Sequence, residues 1–376
     1  MTSNEQELLY RPGLEGIIAG ETAISNIDDG LRYRGYGIED LADNTTFTEV
    51  AYLILHGELP TQTQQAEFAS RLAEAARLPG EIIHTLRSIP SAAPMMDVMR
   101  TGASLLSHWD VEAADNSHDA NVRKSERLLA QLPLVMGACH RLRSGAEPLT
   151  WDADLSFAAN VMWLVNGAKP NDKHIGAMDV SLILYAEHEF NASAFTSRVV
   201  SSTLSDIHSS ITAAIGALKG PLHGGANEKV MDVLAKIGTP AKAESWVREA
   251  LANKVKIMGF GHRVYKTGDP RARYLKTLCA ELAADTNNQA MEQMAETIET
   301  IVHGEKGLPP NLDWPSARLY YYMGLPVDLY TPLFVVSRVT GWCAHVIEQH
   351  DNNRIIRPRS NYTGPTARQV DPLSKR

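Results

Sequence analysis

The stretch Lys219-Gly-Pro-Leu-His223-Gly-Gly-Ala-Asn-Glu228 interrupts a helical pattern and places one histidine at the break. An amphipathic run follows at 230–237, so we expect a helix to begin just after the glycines. A helix N-terminus presents unpaired N–H groups and the positive end of the helix dipole, which suits an anion. His223 is therefore predicted to lie at a helix mouth, facing a small polar ligand. A histidine that merely packs at a helix start is the alternative, and His262 and Asp313 downstream argue against it.

Two further segments carry polar side chains beside glycine or proline. The stretch 254–271 is basic in an acidic protein and contains Gly-Phe-Gly-His262. Its cations and N–H groups suit a ligand with phosphate or carboxylate groups, and a solvated basic turn is the alternative. It has neither a Gly-Lys-Ser/Thr phosphate loop nor a Rossmann fingerprint, which opposes a kinase or ATPase. Asp313 lies in a proline-rich turn, where an aspartate is often a turn residue or the N-cap of a helix.

The composition is that of a globular protein with a sizeable core. The chain has 376 residues, of which 44% are hydrophobic and 21% charged, which allows one large or two smaller domains. The net charge of −8 argues against nucleic acid or an anionic membrane as the main partner. Any anionic substrate must therefore be held by a local cluster of basic residues. Three cysteines without a CxxC pair, a polar N-terminus and the lack of a long apolar run indicate a reduced, cytoplasmic protein.

Hydrophobic periodicity predicts an all-α fold with a small β element at its start. Residues 11–37 favour short strands and turns, whereas helical spacing begins at Ile38 and continues with short breaks to about residue 165. The pattern over 192–215 predicts one long helix, buried on most sides and lying in a subunit interface. Hinges near 220–225 and at Gly324 would separate a smaller helical unit from a larger body.

Two polar residues stand in strongly apolar surroundings. His188 lies at the junction of two apolar helical segments, beside Asn191 as a possible N-cap, and a hydrogen-bonded core histidine is the alternative. Arg338 lies in Phe334-Val-Val-Ser-Arg338-Val-Thr-Gly-Trp342. A cation among so many apolar neighbours requires an anionic partner.

Taken together, the motifs around three residues resemble the citrate synthase family: Gly-Pro-Leu-His223-Gly-Gly-Ala-Asn-Glu, Gly-Phe-Gly-His262-Arg-Val-Tyr-Lys and Pro-Asn-Leu-Asp313. The similarity extends from Gly13-Leu-Glu-Gly to Arg357-Pro-Arg-Ser-Asn-Tyr. Each motif alone is modest, but their joint occurrence in this order is highly specific. The length resembles the compact dimeric bacterial and archaeal form, without the added N-terminal domain that the family associates with NADH-regulated hexamers.

The resemblance implies a two-domain helical fold. Residues 1–222 and 324–376 would form the large domain, which includes the short β element and makes the interface of a homodimer. Residues 223–323 would form the small domain, which binds CoA and closes over the site. The boundaries agree with the hinges expected from the glycine pattern.

The resemblance also implies an acyltransferase of the tricarboxylic acid cycle. It would condense acetyl-CoA with oxaloacetate and hydrolyse citryl-CoA to citrate and CoA. The methyl group of a thioester is a very weak acid, so its deprotonation needs a base and stabilisation of the enolate oxygen. By motif, Asp313 would be the base, His223 the donor to the thioester oxygen and His262 the group that polarises and protonates the ketone. A neutral His223 suits this role, because a helix N-terminus disfavours imidazolium.

Binding roles follow from the same motifs. The residues that match the family's oxaloacetate ligands are His188, Arg271, Arg338 and, from the second subunit, Arg357. A backbone segment that holds the CoA adenine is matched by Lys256, Ile257, Met258, Gly259 and Phe260. No metal or cofactor is implied, since the histidines lack ligand spacing and CoA is a substrate.

Two other functions remain open at this stage. The first is 2-methylcitrate synthase, or a dual enzyme, which uses propionyl-CoA and shares every motif quoted above. One methylene is worth only about 1–3 kcal/mol of discrimination in an apolar pocket, and one sequence does not identify the pocket residues. The second is a non-catalytic helical scaffold or CoA sensor, for which loss of His223, His262 or Asp313 is expected. All three are present.

Overall fold

The computed structural model describes residues 10–28, 30–262, 264–265 and 267–376. Within those ranges the chain forms sixteen α-helices and one small sheet, which confirms the predicted fold class. In chain order, α1 to α16 are Ile38–Asn44, Phe47–His56, Gln62–Ala75, Gly80–Ser88, Met95–Leu106, His118–Arg143, Phe157–Asn166, Asp172–Tyr185, Ala192–Ser201, Ile207–Leu218, Ala226–Ile237, Pro240–Ala252, Pro270–Asp285, Gln289–Lys306, Asp313–Tyr322 and Tyr330–Asp351.

The sheet is an antiparallel meander near the start of the chain. Strand β1, Ser25–Asn26, pairs with β2, Arg32–Tyr33, which pairs with β3, Tyr36–Gly37. The fully buried Tyr33 places its hydroxyl 3.1 Å from the carbonyl oxygen of Ile183 and 3.0 Å from that of Glu187. The predicted turn-rich β element is therefore present, and it contacts the end of α8.

Helix α16 is the central element of the larger group of helices. It packs against α2, α5, α6, α8, α9 and α10, and nearly all of its residues are buried. Such all-round burial explains why its sequence shows no polar face. No helix in the described part of the chain is both long and apolar enough to cross a membrane.

Helices α11 to α15 pack mainly on one another. The closest pairs are α13 with α15, α12 with α14 and α11 with α15. They contact the other helices through α13, which packs on α8 and α1, and through α11, which packs on α16. The turns that carry the predicted site residues lie along this boundary.

The prediction of one long helix over 192–215 is wrong. Helix α9 ends at Ser201 and α10 begins at Ile207. Between them Leu204 has φ +65°, and the Asp206 side chain accepts a hydrogen bond of 2.9 Å from the Ser209 N–H, which caps α10. The apolar spacing across the break does not mark one buried face, since the buried residues of α9 are mostly small and polar and Leu204 is 61% exposed. Periodicity alone does not register a local capping bond of this kind.

Candidate active site

One cleft collects most of the predicted site residues. It has a volume of about 1080 Å³ and is lined by the end of α8, the start of α9, the turns before α11, α13 and α15, and part of α16. The predicted residues that line it are His188, His223, Lys256, Met258, Gly259, Phe260, His262, Arg271, Asp313 and Arg338. These residues come from both groups of helices.

Asp313 is the first residue of α15, not its N-cap, so the capping alternative is wrong. Its Oδ1 accepts a hydrogen bond of 3.0 Å from the Tyr185 hydroxyl, and its own N–H donates to Asn311 Oδ1 at 3.1 Å. Burial raises the pKa of Asp313 to about 6, although the Tyr185 hydrogen bond and the charge of Arg271 lower it. A carboxylate of this basicity is suited to general-base catalysis near neutral pH.

His223 lies in the turn just before α11, at the predicted helix mouth. Burial, followed by the positive charge of Arg338, lowers the pKa of His223 to about 4, so the ring is neutral at physiological pH. The neutral ring agrees with the prediction, but its cause differs. Desolvation is the leading contribution, whereas the sequence pointed to the helix N-terminus.

The His223 ring is held by a short chain of hydrogen bonds. Its Nε2 lies 2.8 Å from Ser193 Oγ, which donates to Asn191 Oδ1 at 2.7 Å and accepts from Trp342 Nε1 at 3.0 Å. A hydroxyl has only one proton to donate, so the position of the imidazole proton depends on which neighbour Ser193 donates to. When Ser193 instead donates to Nε2, the neutral ring carries its proton on Nδ1.

His262 has a defined tautomer. Its Nδ1 accepts hydrogen bonds from the N–H groups of Val264, at 3.1 Å, and Tyr265, at 3.2 Å. The proton of the neutral ring is then on Nε2. The ring stacks on Tyr265 at 4.8 Å and lies 5.4 Å from the His188 ring, between centroids. This geometry makes His262 a donor through Nε2.

Arg271 is buried rather than solvated. Its guanidinium makes two hydrogen bonds, of 3.0 and 2.9 Å, to Asp269, which also caps α13. Burial opposes its charge, but Asp269 raises the pKa of Arg271 above its usual value. Asp269 Oδ2 also accepts from Leu312 N–H at 3.1 Å, which ties this pair to the turn before Asp313. Of the other cations in the basic stretch, Lys256 is exposed, and Arg263 and Lys266 lie outside the described residues.

Arg338 is a buried cation without a carboxylate partner among the residues described. It is 1% exposed, its Nε donates to the Tyr185 carbonyl oxygen at 2.6 Å, and its guanidinium lies 4.7 Å from the Phe334 ring centroid. Burial lowers its pKa to about 10, and the Glu187 charge partly opposes this shift. The predicted need for an anion is therefore not met by an ion pair within these ranges, and a ligand carboxylate in the cleft could meet it.

His188 faces the same cleft from the turn after α8. It is 8% exposed, and its Nε2 lies 3.1 Å from the Tyr265 hydroxyl. Burial, with the charges of Arg271 and Arg338, holds its pKa well below the usual value. His188 is thus a neutral polar group beside two cations. As predicted, Asn191 caps the next helix, accepting from Ala194 N–H at 3.1 Å.

The segment 256–260 runs beside the turn that leads to α15. Phe260 forms a β-bridge with Pro310, and Asn311 N–H donates to the Gly259 carbonyl at 2.9 Å. Gly259 has φ +89°, and a Cβ there would lie 2.9 Å from Val230, so only glycine fits without rearrangement. Ile257 is buried and is not among the lining residues.

Arg357, like Ile257, is a predicted site residue that does not line the cleft of the single chain. It lies in the exposed, extended segment after α16 and is absent from the cleft lining. The described residues also contain no group of three or more His, Cys, Asp or Glu side chains arranged to hold a metal ion.

The sequence did not single out three side chains that contact the predicted site. They are Tyr185, bonded to Asp313, Ser193, bonded to His223, and Asp269, bonded to Arg271. Asp269-Pro270 is a recognisable cap signal, and Tyr185 is a hydroxyl-bearing residue at the end of an apolar helix. Neither signal by itself shows which site residue the side chain bonds to.

Comparison with known proteins agrees with the fold and the cleft. Residues 13–359 match the family model described as "Citrate synthase, C-terminal domain". The chain is 48% identical to "Citrate synthase 2" of Bacillus subtilis, over 97% of this chain and 98% of that protein. It is 46% identical to "2-methylcitrate synthase 2" of Corynebacterium glutamicum, with the same coverage of both chains.

A solved structure is also similar. The ternary complex of carboxymethyl coenzyme A and oxaloacetate with citrate synthase from Thermoplasma acidophilum has a TM-score of 0.92 and 33% identity. The match covers 97% of this chain and 99% of that one. The helical fold and the cleft thus define a transferase of the kind that joins an acyl group to a second substrate. The chain belongs to the citrate synthase family.

Proposed function

We propose that this protein condenses acetyl-CoA with oxaloacetate and then hydrolyses citryl-CoA to citrate and CoA. The observation that carries the proposal is the position of Asp313. It is a carboxylate with a pKa of about 6 in a cleft that also contains two neutral histidine donors and two buried arginines. Deprotonation next to a carbonyl group requires a base of this kind together with donors for the oxygen that becomes negative.

Oxaloacetate is a dianion, and its proposed ligands are two cations and a neutral imidazole. Arg338 has no carboxylate partner among the described side chains, so a substrate carboxylate is the natural counter-ion. Arg271 and His188 line the same part of the cleft. Each charged hydrogen bond contributes about 1.5–3 kcal/mol, enough together for firm binding of a dianion.

The proposed chemistry assigns one role each to Asp313, His223 and His262. Asp313 takes a proton from the methyl group of the thioester while His223 donates a hydrogen bond to the enolate oxygen. The resulting carbon nucleophile attacks the ketone of oxaloacetate, and His262 donates the Nε2 proton to the ketone oxygen, which becomes the hydroxyl group of citryl-CoA. The proton held by Asp313 then restores His262. Water then cleaves the thioester of citryl-CoA, which releases CoA and citrate.

The CoA thioester is proposed to lie along 256–260. Lys256 is exposed at the entrance, and this segment is held by backbone hydrogen bonds to the turn before α15. The similar Thermoplasma acidophilum enzyme was solved with carboxymethyl coenzyme A, which supports this assignment. No metal or prosthetic group is required by the proposed steps.

We further propose two domains, 1–222 with 324–376 and 223–323, and a homodimer in which Arg357 reaches the other subunit's cleft. The packing of α11 to α15 on one another supports the division. The exposed position of Arg357 supports a role outside its own cleft. Closure of the small domain would exclude water until condensation is complete. The cytoplasmic location stays a prediction from the sequence.

Thiol release tests the proposed reaction. Purified protein is mixed with oxaloacetate and either acetyl-CoA or propionyl-CoA, and free CoA is followed with a thiol reagent. We expect kcat/KM to favour acetyl-CoA by about a hundredfold, which corresponds to about 2.7 kcal/mol in transition-state binding. The Asp313→Asn variant is the control for background hydrolysis. No oxaloacetate-dependent thiol release with either substrate would contradict the proposal and favour a scaffold or sensor.

The second candidate is 2-methylcitrate synthase activity. The observation that favours it is the near-equal identity to relatives of both kinds, 48% and 46%. Because the two acyl groups differ by one methylene, small changes in one pocket reverse the preference. A comparable or reversed kcat/KM ratio in the same assay would assign the protein to propionyl-CoA.

A further inference from the structure

Tyr185 lies behind the carboxylate to which the proposed function gives the role of base. It is the last residue of α8, it is 1% exposed, and the edge of its ring packs against Phe334 with 4.5 Å between centroids. Its hydroxyl lies 3.0 Å from Asp313 Oδ1 and 2.7 Å from Ser316 Oγ. The backbone carbonyl of the same residue accepts from Arg338 Nε at 2.6 Å. One residue therefore contacts both the carboxylate and a cation of the cleft.

The direction of these hydrogen bonds follows from counting protons. An ionised carboxylate only accepts, so the Tyr185 hydroxyl donates to Asp313. Its single proton is then used, so Ser316 is the donor in the 2.7 Å bond between the two hydroxyls, in preference to its longer contact of 3.3 Å with the Asp313 carbonyl oxygen. The order is Ser316 hydroxyl to Tyr185 hydroxyl to Asp313 Oδ1. Burial raises the pKa of Tyr185 well above its usual value, so the phenol remains a donor at every working pH.

This arrangement distinguishes the two oxygens of the carboxylate. Oδ1 accepts from Tyr185, whereas Oδ2 accepts no hydrogen bond from the described residues. We propose that Tyr185 is a positioning residue for the reaction: its hydroxyl holds Asp313 by Oδ1, so that Oδ2 receives the substrate proton. The proposal rests on the role of Asp313 as base in the proposed function, and adds a residue that the family motifs quoted above do not contain.

The backbone bond to Arg338 couples this placement to the substrate-binding side of the cleft. The carbonyl of Tyr185 is available because the last carbonyl groups of a helix have no partner within it. Arg338 fills that position from α16. The end of α8 therefore sets the distance between the proposed base and a proposed carboxylate ligand. A Tyr185→Phe change keeps this backbone bond and removes only the hydroxyl.

The hydroxyl also stabilises the charged form of Asp313, so its removal is visible in the pH profile. A hydrogen bond donated to a carboxylate lowers the pKa of that group, and we expect its loss to raise the pKa of Asp313 by about one unit. The other titratable groups that act on Asp313 or line the same cleft remain in place in the variant. They are Asp269 and Arg271 beside α13, Arg338 on α16, His188 after α8, His223 before α11 and His262 in the turn after 256–260.

The experiment compares kcat against pH for the wild type, Tyr185→Phe and Tyr320→Phe. Tyr320 is a matched control: its hydroxyl is also buried, but it bonds to Ser181 at 2.7 Å and makes no hydrogen bond to Asp313. In Tyr185→Phe we expect a severalfold loss of kcat that persists at pH 8, because the ionised carboxylate is no longer held, and a further loss of about fivefold at pH 6, because the acid limb moves up by about one unit. In Tyr320→Phe the limb is expected to stay in place. A uniform loss at all pH values in Tyr185→Phe, with no shift of the limb, would overturn the proposal.

A titration without turnover separates this proposal from the proposed reaction. The carboxylates are labelled with 13C-aspartate, and the Asp313 signal is assigned by its absence in Asp313→Asn. If its midpoint moves up in Tyr185→Phe, the hydrogen bond acts on Asp313 as inferred, even if no thiol release is found. If thiol release is present but the midpoint is unchanged, the positioning role fails and the reaction stands. Should Tyr185→Phe not fold, Ser316→Ala is expected to move the midpoint in the same direction by a smaller amount. It removes the donor to Tyr185 and the longer contact, of 3.3 Å, between Ser316 Oγ and the Asp313 carbonyl oxygen, and keeps the Tyr185 hydroxyl.

Discussion

At the scale of single residues, burial acts in opposite directions on the acid and the imidazole of the cleft. Desolvation disfavours a charged group, so it raises the pKa of Asp313 to about 6 and lowers that of His223 to about 4. Above about pH 4 the imidazole of His223 is neutral, and above about pH 6 the carboxylate of Asp313 is ionised. The same physical cause thus produces a base and a neutral donor that coexist at neutral pH.

Asp313→Asn should remove nearly all turnover and leave oxaloacetate binding largely intact. The amide has no basic oxygen to take the proton, and loss of a general base costs about 10²–10⁴ in rate. The arginines that are proposed to bind the dianion are not changed. Isothermal titration with oxaloacetate, beside a thiol-release assay with acetyl-CoA, measures both properties. If oxaloacetate binding disappeared together with turnover, Asp313 would be a ligand or a structural residue rather than the base.

At the scale of elements, the position of α15 depends on a buried ion pair. Arg318 is fully buried, and its Nε donates to Glu292 of α14 at 2.6 Å, while Nη1 donates to the Trp314 carbonyl at 2.9 Å. Glu292 also accepts from the Tyr322 hydroxyl at 2.6 Å. These bonds connect α14 to α15 close to Asp313. The cost of burying the pair is offset only while both charges are present.

Arg318→Met should therefore lower the free energy of unfolding by about 1.5–3 kcal/mol, because it removes a charged hydrogen bond and leaves the partly buried Glu292 without its cation. Urea unfolding followed by circular dichroism measures the change. Arg248→Ala is the matched control, since Arg248 pairs with Glu244 and Glu305 at the surface and its side chain is 54% exposed. Loss of that pair should cost less than about 1 kcal/mol. Adding Glu292→Gln to Arg318→Met should recover part of the stability, and equal stability of Arg318→Met and wild type would contradict this account.

A second element depends on a carboxylate from a distant helix. Asp179 of α8 accepts from Phe47 N–H at 3.1 and 3.2 Å, and thereby supplies a partner for the first turn of α2. Burial raises the pKa of Asp179 to about 6, despite this hydrogen bond. A folded-state pKa above the unfolded value of about 3.9 contributes stability that is complete below pH 4 and is lost as the pH rises through 6.

Asp179→Asn should consequently stabilise the protein at pH 8 but not at pH 4.5. Asparagine keeps an oxygen acceptor for Phe47 N–H and carries no charge to desolvate, so the gain at pH 8 is about 1–3 kcal/mol. Unfolding midpoints in urea at the two pH values test this. Asp206→Asn is the control of opposite sign, because hydrogen bonds from Ser209 keep the pKa of Asp206 low against the effect of burial. If both variants changed the unfolding midpoint with pH in the same direction, burial of the Asp179 carboxylate would not be the cause of the effect.

At the scale of the whole molecule, the proposed homodimer would place Arg357 of each subunit in the cleft of the other. Mixed dimers of Asp313→Asn and Arg357→Ala subunits, each inactive alone, should regain up to about half of wild-type activity, because one of the two clefts then has both residues. Two affinity tags isolate the mixed species, and thiol release measures its activity. Mixed dimers of Asp313→Asn and His262→Ala serve as the control, since both residues belong to one cleft and no recovery is expected. Verified Asp313→Asn/Arg357→Ala heterodimers without activity would show that the site is not shared in this way.

Much of the fold was predictable because helix-forming patterns are local. Glycine and proline marked several helix boundaries: Gly238 ends α11 with φ +72°, and Pro240 begins α12. The break between α9 and α10 was not predicted, because the apolar spacing continues through it while Asp206 supplies the cap. The apolar spacing was therefore misleading here, because the face that α9 buries is mostly small and polar.

The sequence by itself determined the fold class, the family and the residues that the motifs point to, since each of these depends on hydrophobic periodicity and short motifs along the chain. Only the tertiary structure decided which protonation states those residues adopt and which side chains hold them. Tyr185 and Asp313 are 128 residues apart in the chain, and their hydrogen bond exists because α8 and α15 pack together. Burial, which sets the pKa of Asp313 and His223, is likewise a property of the packed helices, because desolvation depends on every element that covers a group and not on its neighbours in sequence.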